Sequence, residues 1–474
     1  MKLTSKFLTA VIAALIFGAC SNDDNNVDTP SGTITISVSE NAISEDDSVV
    51  LLDFIATSPF ATDVSISYEV SGSATSNEDY ERLDGLVTLS AGETTATQFI
   101  TLIDDDEVEN IEELIVTITA IDGSQEFIGS NNAVTVSISD NDSFAYESGI
   151  LVLHEGNFGA GNSSVSFISN DLTVTENGIF KSVNDVDSWG DTAQSITFNE
   201  DLAFIVVNNS QKIEVVNRFT YESVATIGGP TETDFLNPRY MTIVNGKGYV
   251  TNWGDGSNPD DDFVSVVNLA DYTVESPIPV AEGPEKIVSN DNTIYVAHKG
   301  GYNQNNIISV IDATTNAVST TITVADRPNS IQFDADGNLW VLSGGNPSWT
   351  GIESAGQLDK ISSVDNSITT TIAFSETEHP GALSVTDGNL YYYLSGSVYK
   401  MDTTSTTLPA TADITGLSFA NMTVADGKLY GLDAKDYASN GSLEVYNLEN
   451  NTLLSSIEIS IIPTGVYFNG AFEL

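Results

Sequence analysis

Cysteine, histidine and positive charge are scarce in this sequence. Its 474 residues include one Cys, three His and 15 Lys plus Arg, against 67 Asp plus Glu, which gives a formal net charge of -52. The single Cys excludes a disulfide framework and a Cys-based metal cluster. The charge excludes nucleic acid and anionic membrane surfaces as partners, because both require a basic footprint.

The motifs of several common enzyme classes are also missing. The sequence contains no G-x-S-x-G elbow, no H-E-x-x-H pair and no phosphate-binding loop. Beyond the N-terminal region, no segment is apolar enough to span a bilayer. We therefore expect a protein that binds a ligand rather than an enzyme.

A short apolar segment lies close to the N-terminus. Lys2 and Lys6 precede an apolar run of 11 residues from Phe7 to Phe17, which is interrupted only by Thr9. As a helix this run would rise about 16 Å, which is too short for a hydrocarbon core of about 30 Å. Residues 1–19 are therefore predicted to be a signal peptide.

The residues around Cys20 resemble the lipobox of bacterial lipoproteins, with small side chains directly before the cysteine. The resemblance implies that Cys20 is the lipidated N-terminus of the mature protein. Residues 20–32 are polar and contain Pro30, as a flexible tether does, and the acidic stretch after Cys20 is similar to the surface-export signal of Bacteroidota lipoproteins. Together these imply an outer-membrane location facing the cell exterior, with membrane contact only through the lipid anchor.

Residues 33–142 show the period of two that is typical of a β-sandwich. Apolar and polar residues alternate in six short runs: Thr33 to Ser39, Val64 to Val70, Leu86 to Leu89, Phe99 to Ile103, Leu114 to Ile118 and Val134 to Ile138. The segment holds 23 Asp plus Glu and a single Arg, and the acids bunch at strand ends. Because bunched carboxylates repel each other, a hard cation with oxygen ligands, such as calcium, would stabilise them.

The order and spacing of these acidic groups resemble a Calx-beta domain across nearly the whole segment. The matching segments are, in chain order, Asp79-Tyr80, Leu86 to Leu89, Ala91 to Thr94, Ile103 to Asp106, Glu112-Glu113 and the closing Ile138 to Asp142. The resemblance implies calcium as the cofactor and the following ligands: Glu45, Asp79, Asp104, Asp105, Glu112, Asp140 and Asp142. Glu40 is an alternative to Glu45, and a solvated acidic rim without an ion is the alternative to a metal site.

Residues 149–474 contain a repeat of about 45 residues. One aromatic residue recurs in each complete unit at separations of 39 to 51 residues: Phe204, Tyr249, Tyr295, Trp340, Tyr391 and Tyr430. Six complete units are flanked by two fragments, Gly149 to Glu155 and Gly465 to Asn469. Pairing of these fragments would complete a seventh unit, so the sequence predicts a seven-bladed β-propeller closed by its two ends. The predicted fold class is all-β.

The repeats resemble YVTN-type propellers, as in Ile308 to Asp312 followed by Arg327-Pro328. The segments Leu151 to Asn157 and Asn162 to Ser166 are more similar to a subgroup of Bacteroidota surface lipoproteins. One branch of that subgroup captures cobalamin for a TonB-dependent outer-membrane transporter. The resemblance implies capture of a bulky small molecule and a transporter of this kind as partner.

Rare residues gather on loops that share one face of the predicted propeller. All three histidines, including His154, three of the four tryptophans and five cations, among them Lys299 and Lys435, lie on or beside these loops. Exposed aromatics and cations on such loops suit a ligand that carries a phosphate or carboxylate. The candidate ligand-binding residues are Trp189, Arg239, Trp253, Lys286, His298, Tyr302, Arg327, Trp349 and His379. The alternative is that the aromatics pack the loops onto the blades.

Three functional hypotheses follow. The first is a surface lipoprotein that captures a small molecule. The second is an adhesion or matrix protein that binds protein or glycan through the propeller face. The third is a lactonase-like propeller hydrolase, for which Asn329 and Asn421 lie at funnel-entry positions. The first is preferred.

Overall fold

The computed structural model describes residues 32–47 and 49–470. They form two compact units that divide between Ser143 and Phe144. Strands dominate both units, and the α-helical content is the single short helix α1, Ile179–Asn184, so the all-β prediction is confirmed. The predicted signal peptide and Cys20 lie outside the described residues. Within the described ranges, no helix has the length and apolar character needed to cross a bilayer.

The first unit is a two-sheet sandwich. Its strands are β1 Ile34–Val38, β2 Ala42–Ser44, β3 Val49–Ala56, β4 Val64–Gly72, β5 Leu86–Leu89, β6 Thr95–Thr101, β7 Glu112–Ile121 and β8 Ala133–Ser139. One sheet has the order β1-β3-β6 and the other β2-β8-β7-β4-β5. The inward residues of both sheets form one hydrophobic core, as the alternation predicts.

Strand β3 was not among the predicted strands, although it lies at the centre of the smaller sheet. Its sequence is apolar on both faces: Val50 and Leu52 are fully buried, whereas Val49, Leu51 and Ile55 are 38–44% exposed. A run without alternation carries no period-two signal. Its pairing with β1 and β6 satisfies its backbone on both sides.

The second unit consists of seven four-stranded antiparallel sheets, which we call blades 1 to 7. Blade 1 contains β9 Gly149–His154, β10 Ser164–Ser169 and β11 Thr175–Asn177; blade 2 contains β12 Ala193–Asn199, β13 Leu202–Val207, β14 Lys212–Asn217 and β15 Ser223–Gly228; blade 3 contains β16 Pro238–Val244, β17 Lys247–Asn252, β18 Phe263–Asn268 and β19 Ile278–Pro279. Blade 4 contains β20 Pro284–Asn290, β21 Thr293–His298, β22 Ile307–Asp312 and β23 Ala317–Thr323; blade 5 contains β24 Pro328–Phe333, β25 Leu339–Ser343, β26 Gln357–Ile361 and β27 Ile368–Ala373. Blade 6 contains β28 Gly381–Thr386, β29 Asn389–Leu394, β30 Ser397–Asp402 and β31 Ile414–Thr415; blade 7 contains β32 Asn421–Ala425, β33 Lys428–Asp433, β34 Asn440–Asn447 and β35 Thr452–Ile461.

The last strand, β36 Pro463–Asn469, completes blade 1. It pairs antiparallel with β9, from Pro463 opposite His154 to Asn469 opposite Gly149. The two chain segments therefore close the ring, and the first and last blades do not leave an unpaired inner edge. This confirms the predicted seven-bladed propeller.

Each recurring aromatic packs its blade against the next one. Tyr249 of blade 3, for example, shares a buried cluster with Ile294 of blade 4, and Trp340 of blade 5 shares one with Leu390 of blade 6. Seven such clusters lie between successive blades. Blade 1 uses Leu151 at the aromatic position, which explains why the aromatic series has only six members.

The innermost strands begin with an irregularity that decides what faces the propeller axis. Most of them open with a proline or glycine, and their pairing with the second strand shifts register within the first few residues, as between Pro238 and Met241 and between Pro284 and Ile287. Proline lacks the N–H that a regular ladder needs, and a bulge re-aims the residues beside it. The residue after the proline, such as Arg239 or Glu285, consequently lines the axial funnel.

Candidate functional site

Two groups of carboxylates lie at one end of the sandwich. Glu45, Asp140 and Asp142 form the first group, and Asp79, Glu109 and Glu112 form the second. Within each group, one oxygen from every residue lies within 4.8 Å of the others. The backbone N–H of Glu109 donates to Asp140 Oδ2 at 2.6 Å, which joins the two groups.

Burial and mutual repulsion disfavour the ionised form of these carboxyl groups. Burial raises the pKa of Glu45 to about 7, and Asp140 adds to the rise. Burial, followed by the neighbouring Asp79, raises the pKa of Glu112 to about 7. Within the described residues, Glu45 Oε1, Glu112 Oε2 and Asp142 Oδ2 are buried and have no hydrogen-bond donor. Unpartnered, clustered carboxylate oxygens are the donor set that calcium prefers, so these residues fit a calcium site.

The structure places the predicted calcium ligands differently from one another. Glu45 is 5% exposed and belongs to the first group, whereas its alternative Glu40 is exposed and belongs to neither group. Asp104 and Asp105 are exposed and belong to neither group. They follow β6 on a loop, where Asp104 accepts a hydrogen bond from Asn141 at 3.2 Å. Glu109 was not among the predicted ligands, because it lies between the matching segments that end at Asp106 and begin at Glu112.

Two predicted binding-face histidines are buried in the blades instead. His298 and His154 are both 0% exposed. Each is the last residue of a second strand, and its Nε2 forms a 2.8 Å hydrogen bond with a serine of the third strand: Ser309 for His298 and Ser166 for His154. The prediction that His298 contacts a ligand is therefore corrected: it is a buried partner within blade 4.

The buried histidines should make the propeller sensitive to acid. Burial lowers the pKa of His298 to about 4, below the value of about 6.5 expected in the unfolded chain. The unfolded state thus binds a proton first, and stability is lost as the pH falls from 6.5 to 4, with about 2 kcal/mol lost by pH 5 from this residue. All four Trp lie in the propeller, so Trp fluorescence during urea unfolding at pH 7 and pH 5 measures this loss.

The chain itself supplies a matched variant for this measurement. Asn252 occupies the same position in blade 3 and donates to Ser265 Oγ at 3.0 Å. In the His298→Asn variant the difference between pH 7 and pH 5 should shrink by about 2 kcal/mol. Equal pH dependence in both proteins would contradict the prediction.

Trp189 also lies in the core rather than on the binding face. It is 4% exposed, packs against Phe180 with ring centroids 4.9 Å apart, and its Nε1 donates to the Ser163 carbonyl at 2.5 Å. The prediction that Trp189 contacts a ligand is corrected, since helix α1 covers it. For this tryptophan the packing alternative holds.

A pocket of about 480 Å³ opens on the propeller axis. All seven blades contribute to it through the first residues of their innermost strands: Gln194, Arg239, Glu285, Asn329, Ala382, Asn421 and Thr464. Four of the predicted ligand-binding residues line it: Arg239, Lys286, Arg327 and His379. The structure therefore brings these four together although they are far apart in sequence.

Charged side chains in the pocket differ in how they are held. Arg239 donates two hydrogen bonds of 3.0 Å to Glu285. Both side chains of this ion pair are largely buried. Lys286 Nζ lies 3.7 Å from the centroid of the Tyr240 ring. His379 is fixed by the Gly344 carbonyl at 2.8 Å and by Glu353 at 3.2 Å.

Sequence reasoning placed Lys299 beside the loops without including it in the site, and it missed Glu285, Tyr240 and Glu155, which also line the pocket. The sequence did contain a pattern that identifies residues of the pocket wall. The residue that follows the opening proline of an innermost strand lines the funnel in Pro238-Arg239, Pro284-Glu285, Pro328-Asn329 and Pro463-Thr464.

Exposed aromatic side chains lie on the loops around the pocket. Trp349 is 74% exposed and lies beside Arg327, whose Cζ is 5.4 Å from the ring centroid. Trp253 is half-buried. The Arg239 Cζ lies 4.0 Å from its ring centroid, and the 59% exposed Tyr302 meets it edge-to-face with ring centroids 5.7 Å apart. Trp349 and Tyr302 thus present open ring surface, whereas Trp253 mainly supports Arg239.

The two funnel asparagines are engaged in holding blades together. Asn329 Nδ2 donates to the Pro380 carbonyl at 2.9 Å, and Asn421 Nδ2 donates to the Thr464 carbonyl at 2.7 Å. Their Oδ1 atoms accept from Ser330 and Met422 at 2.9 Å. Both amides are used within the protein, which does not favour the metal-ligand role that a lactonase-like site requires.

Comparison with known families assigns both units. Residues 148–450 match the family described as Domain of unknown function (DUF5074). The chain belongs to the DUF5074 family. Residues 28–142, ahead of the DUF5074 region, match the Calx-beta domain, which confirms the resemblance of the sandwich.

Solved structures resemble the DUF5074 propeller at low sequence identity. Dihydro-heme d1 dehydrogenase NirN is 13% identical over 68% of this chain and 75% of its own, with a TM-score of 0.44. A functionally unknown protein from Desulfotomaculum acetoxidans is 14% identical over 68% and 99%, with a TM-score of 0.49. Apo AztD from Citrobacter koseri is 12% identical over 67% and 97%, with a TM-score of 0.42. These likenesses concern the fold alone.

Proposed function

We propose that this protein is a ligand-binding module whose propeller captures a small molecule in the axial pocket. The carrying observation is a pocket of about 480 Å³ that all seven blades build and that cations and exposed aromatics surround. Its volume falls in the range of about 300–1,000 Å³ that is usual for small-molecule sites. Because every blade supplies part of the wall, the site is rigid and pre-formed, which reduces the entropy cost of binding.

We propose a bulky ligand, of which one part fills the pocket and the rest lies against the surrounding loops. Trp349 and Tyr302, at 74% and 59% exposure, offer flat apolar surface there, and rigid aromatic rings bind large ligands at low entropy cost. The segment Leu151 to Asn157 resembles a subgroup of Bacteroidota surface lipoproteins, and the one branch of that subgroup that captures cobalamin supports a corrinoid-like ligand and transfer to a TonB-dependent transporter. Lipidation at Cys20 and exposure on the outer membrane belong to the same proposal.

We further propose binding rather than catalysis, with calcium stabilising the Calx-beta domain. The amides of Asn329 and Asn421 are occupied within the fold, and burial holds the pKa of His298 at about 4, which keeps it neutral. In the sandwich, the two carboxylate groups described above supply oxygen ligands for calcium. A calcium-stabilised sandwich would serve as a spacer.

A ligand screen on the full chain tests the capture proposal. Corrinoids, haem, siderophores and glycans are added, and the melting midpoint is followed by circular dichroism. We expect a compound that raises the midpoint and whose affinity falls at least tenfold in Trp349→Ala, since a buried interface tryptophan commonly contributes more than about 1.4 kcal/mol.

The control is Val364→Ala, because Val364 is 94% exposed in the turn between β26 and β27, at the opposite end of blade 5 from the Trp349 loop. Its affinity should stay within twofold of wild type. Unchanged affinity in Trp349→Ala would place the site elsewhere. Binding of glycans alone would favour the adhesion hypothesis.

A further inference from the structure

Three of the four cationic side chains of the axial pocket lie outside the ion pairs of the described residues. Among the residues that the structure describes, Lys286, Lys299 and Arg327 take part in no ion pair. Arg239, the fourth cation of the pocket, is paired with Glu285. The chain has only 15 Lys plus Arg in total, so four around one pocket is a strong concentration of positive charge.

The formal charge of the pocket is opposite to that of the protein. Its wall contains four cations and two carboxylates, Glu155 and Glu285, so the formal charge is four minus two, or +2, when histidine is not counted. The whole chain carries -52. Cationic groups gathered within low-dielectric walls focus the field and attract anions.

The cations are close enough to disfavour one another's charge. Glu285 acts to raise the pKa of Lys299, but burial and the three neighbouring cations outweigh it and lower that pKa. Burial also lowers the pKa of Lys286 and of Arg327. An anion bound between these groups would relieve the repulsion and replace lost hydration with charge-assisted hydrogen bonds.

We infer that the axial pocket binds a dianionic group, a phosphate or paired carboxylates, through Lys286, Lys299 and Arg327. This inference deepens the proposed function and rests on it, since it states which chemical group of the captured molecule enters the pocket. Arg239 is the positioning residue: its charge is balanced by Glu285, and its guanidinium holds the wall between blades 3 and 4.

Calorimetric titration of the full chain tests the inference. The probes are inorganic phosphate, pyrophosphate and citrate, with acetate as the monoanion, in calcium-free buffer at low salt. We expect saturable binding of at least one polyanion, at least tenfold tighter than acetate, and weakening by added salt. Pyrophosphate above citrate would indicate phosphate as the natural group, and citrate above pyrophosphate would indicate carboxylates.

Charge-removing variants identify the site. Lys299→Gln and Arg327→Gln should each weaken polyanion binding at least tenfold, because each removes a charge-assisted hydrogen bond. The matched control is Lys247→Gln, since Lys247 pairs with Glu275 at 2.7 Å and does not line the pocket. Without any anion, Lys299→Gln should melt no lower than wild type, because the substitution relieves repulsion.

Three results would overturn the inference: no saturable binding of any polyanion, equal weakening by Lys247→Gln, or unchanged binding with a lowered midpoint in Lys299→Gln. The last would indicate that Lys299 has a structural role only. A screen compound whose affinity responds to Trp349→Ala but not to Lys299→Gln would leave capture standing and reject the anion site. Polyanion binding without any compound that responds to Trp349→Ala would support the anion site and count against capture of a bulky ligand.

Discussion

Deletion of residues 463–474 is expected to unfold the propeller. The deletion removes β36, whose side chains reach both neighbouring blades: Val466 and Phe468 lie in the cluster shared with blade 7, and Tyr467 packs in the cluster shared with blade 2. Each large side chain contributes about 1.5–3 kcal/mol when buried, and β9 loses its inner ladder partner. The total approaches the 5–15 kcal/mol that typically separates folded from unfolded domains.

Urea unfolding followed by Trp fluorescence measures this effect, because all four Trp belong to the propeller. Deletion of residues 471–474 alone is the control, as it retains the whole of β36. Phe468→Ala is a graded version: its ring lies 5.0 Å from that of Tyr430, and we expect a loss of about 2 kcal/mol for this partly buried side chain. A truncated chain that unfolds at the control's midpoint would show that closure contributes nothing.

The success of the sequence in predicting this closure has a physical basis. A blade cannot bury its faces alone, so each one repeats the same apolar pattern, and the recurring aromatic, such as Tyr249 or Trp340, marks the face that meets the next blade. Two incomplete units at the ends of such a series have only each other as partners. The repeat length of the blades and the pairing of the two terminal fragments could therefore both be predicted from the local apolar pattern.

Side-chain direction within the blades could not be read in the same way. His298 and Trp189 are near loops in sequence, yet His298 is the last residue of a second strand and Trp189 lies beneath α1. Whether a residue at a strand end points to the axis or into the blade depends on the bulge beside it, as at Pro284 and Ile287. Arg239 and Lys286 were identified by rarity of charge, which is independent of that geometry.

The carboxylate clusters show the same division between composition and geometry. An excess of acids at strand ends predicts a cation site, and Glu45, Asp140 and Asp142 do converge. Glu109, by contrast, lies on the connection to β7, and its place beside Asp79 depends on the path of that connection. Motif matching does not identify such a residue, because it depends on sequence spacing and not on the path of the chain.

Calcium is expected to stabilise the sandwich strongly and in a pH-dependent manner. At a free concentration of one thousand times Kd, binding to the folded state alone contributes about 4 kcal/mol. Calcium must displace the protons of Glu45 and Glu112, whose pKa values burial raises to about 7. The apparent affinity of each group should therefore fall up to about tenfold per pH unit below pH 7.

Without calcium the pH dependence should reverse. A carboxyl group whose pKa is higher in the folded than in the unfolded state binds its proton more tightly when folded, so the calcium-free sandwich loses stability as the pH rises from 4.5 to 7. Both Glu45 and Glu112 contribute in this direction. The same ionised carboxylates destabilise the calcium-free sandwich but serve as ligands when calcium is bound. Stability in calcium should therefore rise with pH over this range.

Calorimetry of the full chain at pH 6 and pH 8, in calcium and in chelator, separates these effects, with Trp fluorescence reporting the propeller independently. Glu45→Gln should lower the calcium response, and it should flatten the fall with pH in chelator. Glu69→Gln is the matched control, because Glu69 is exposed on β4 and belongs to neither carboxylate group. Equal sandwich midpoints in calcium and in chelator at both pH values would rule out a calcium site, since repulsion among these acids would then persist without any ion to relieve it.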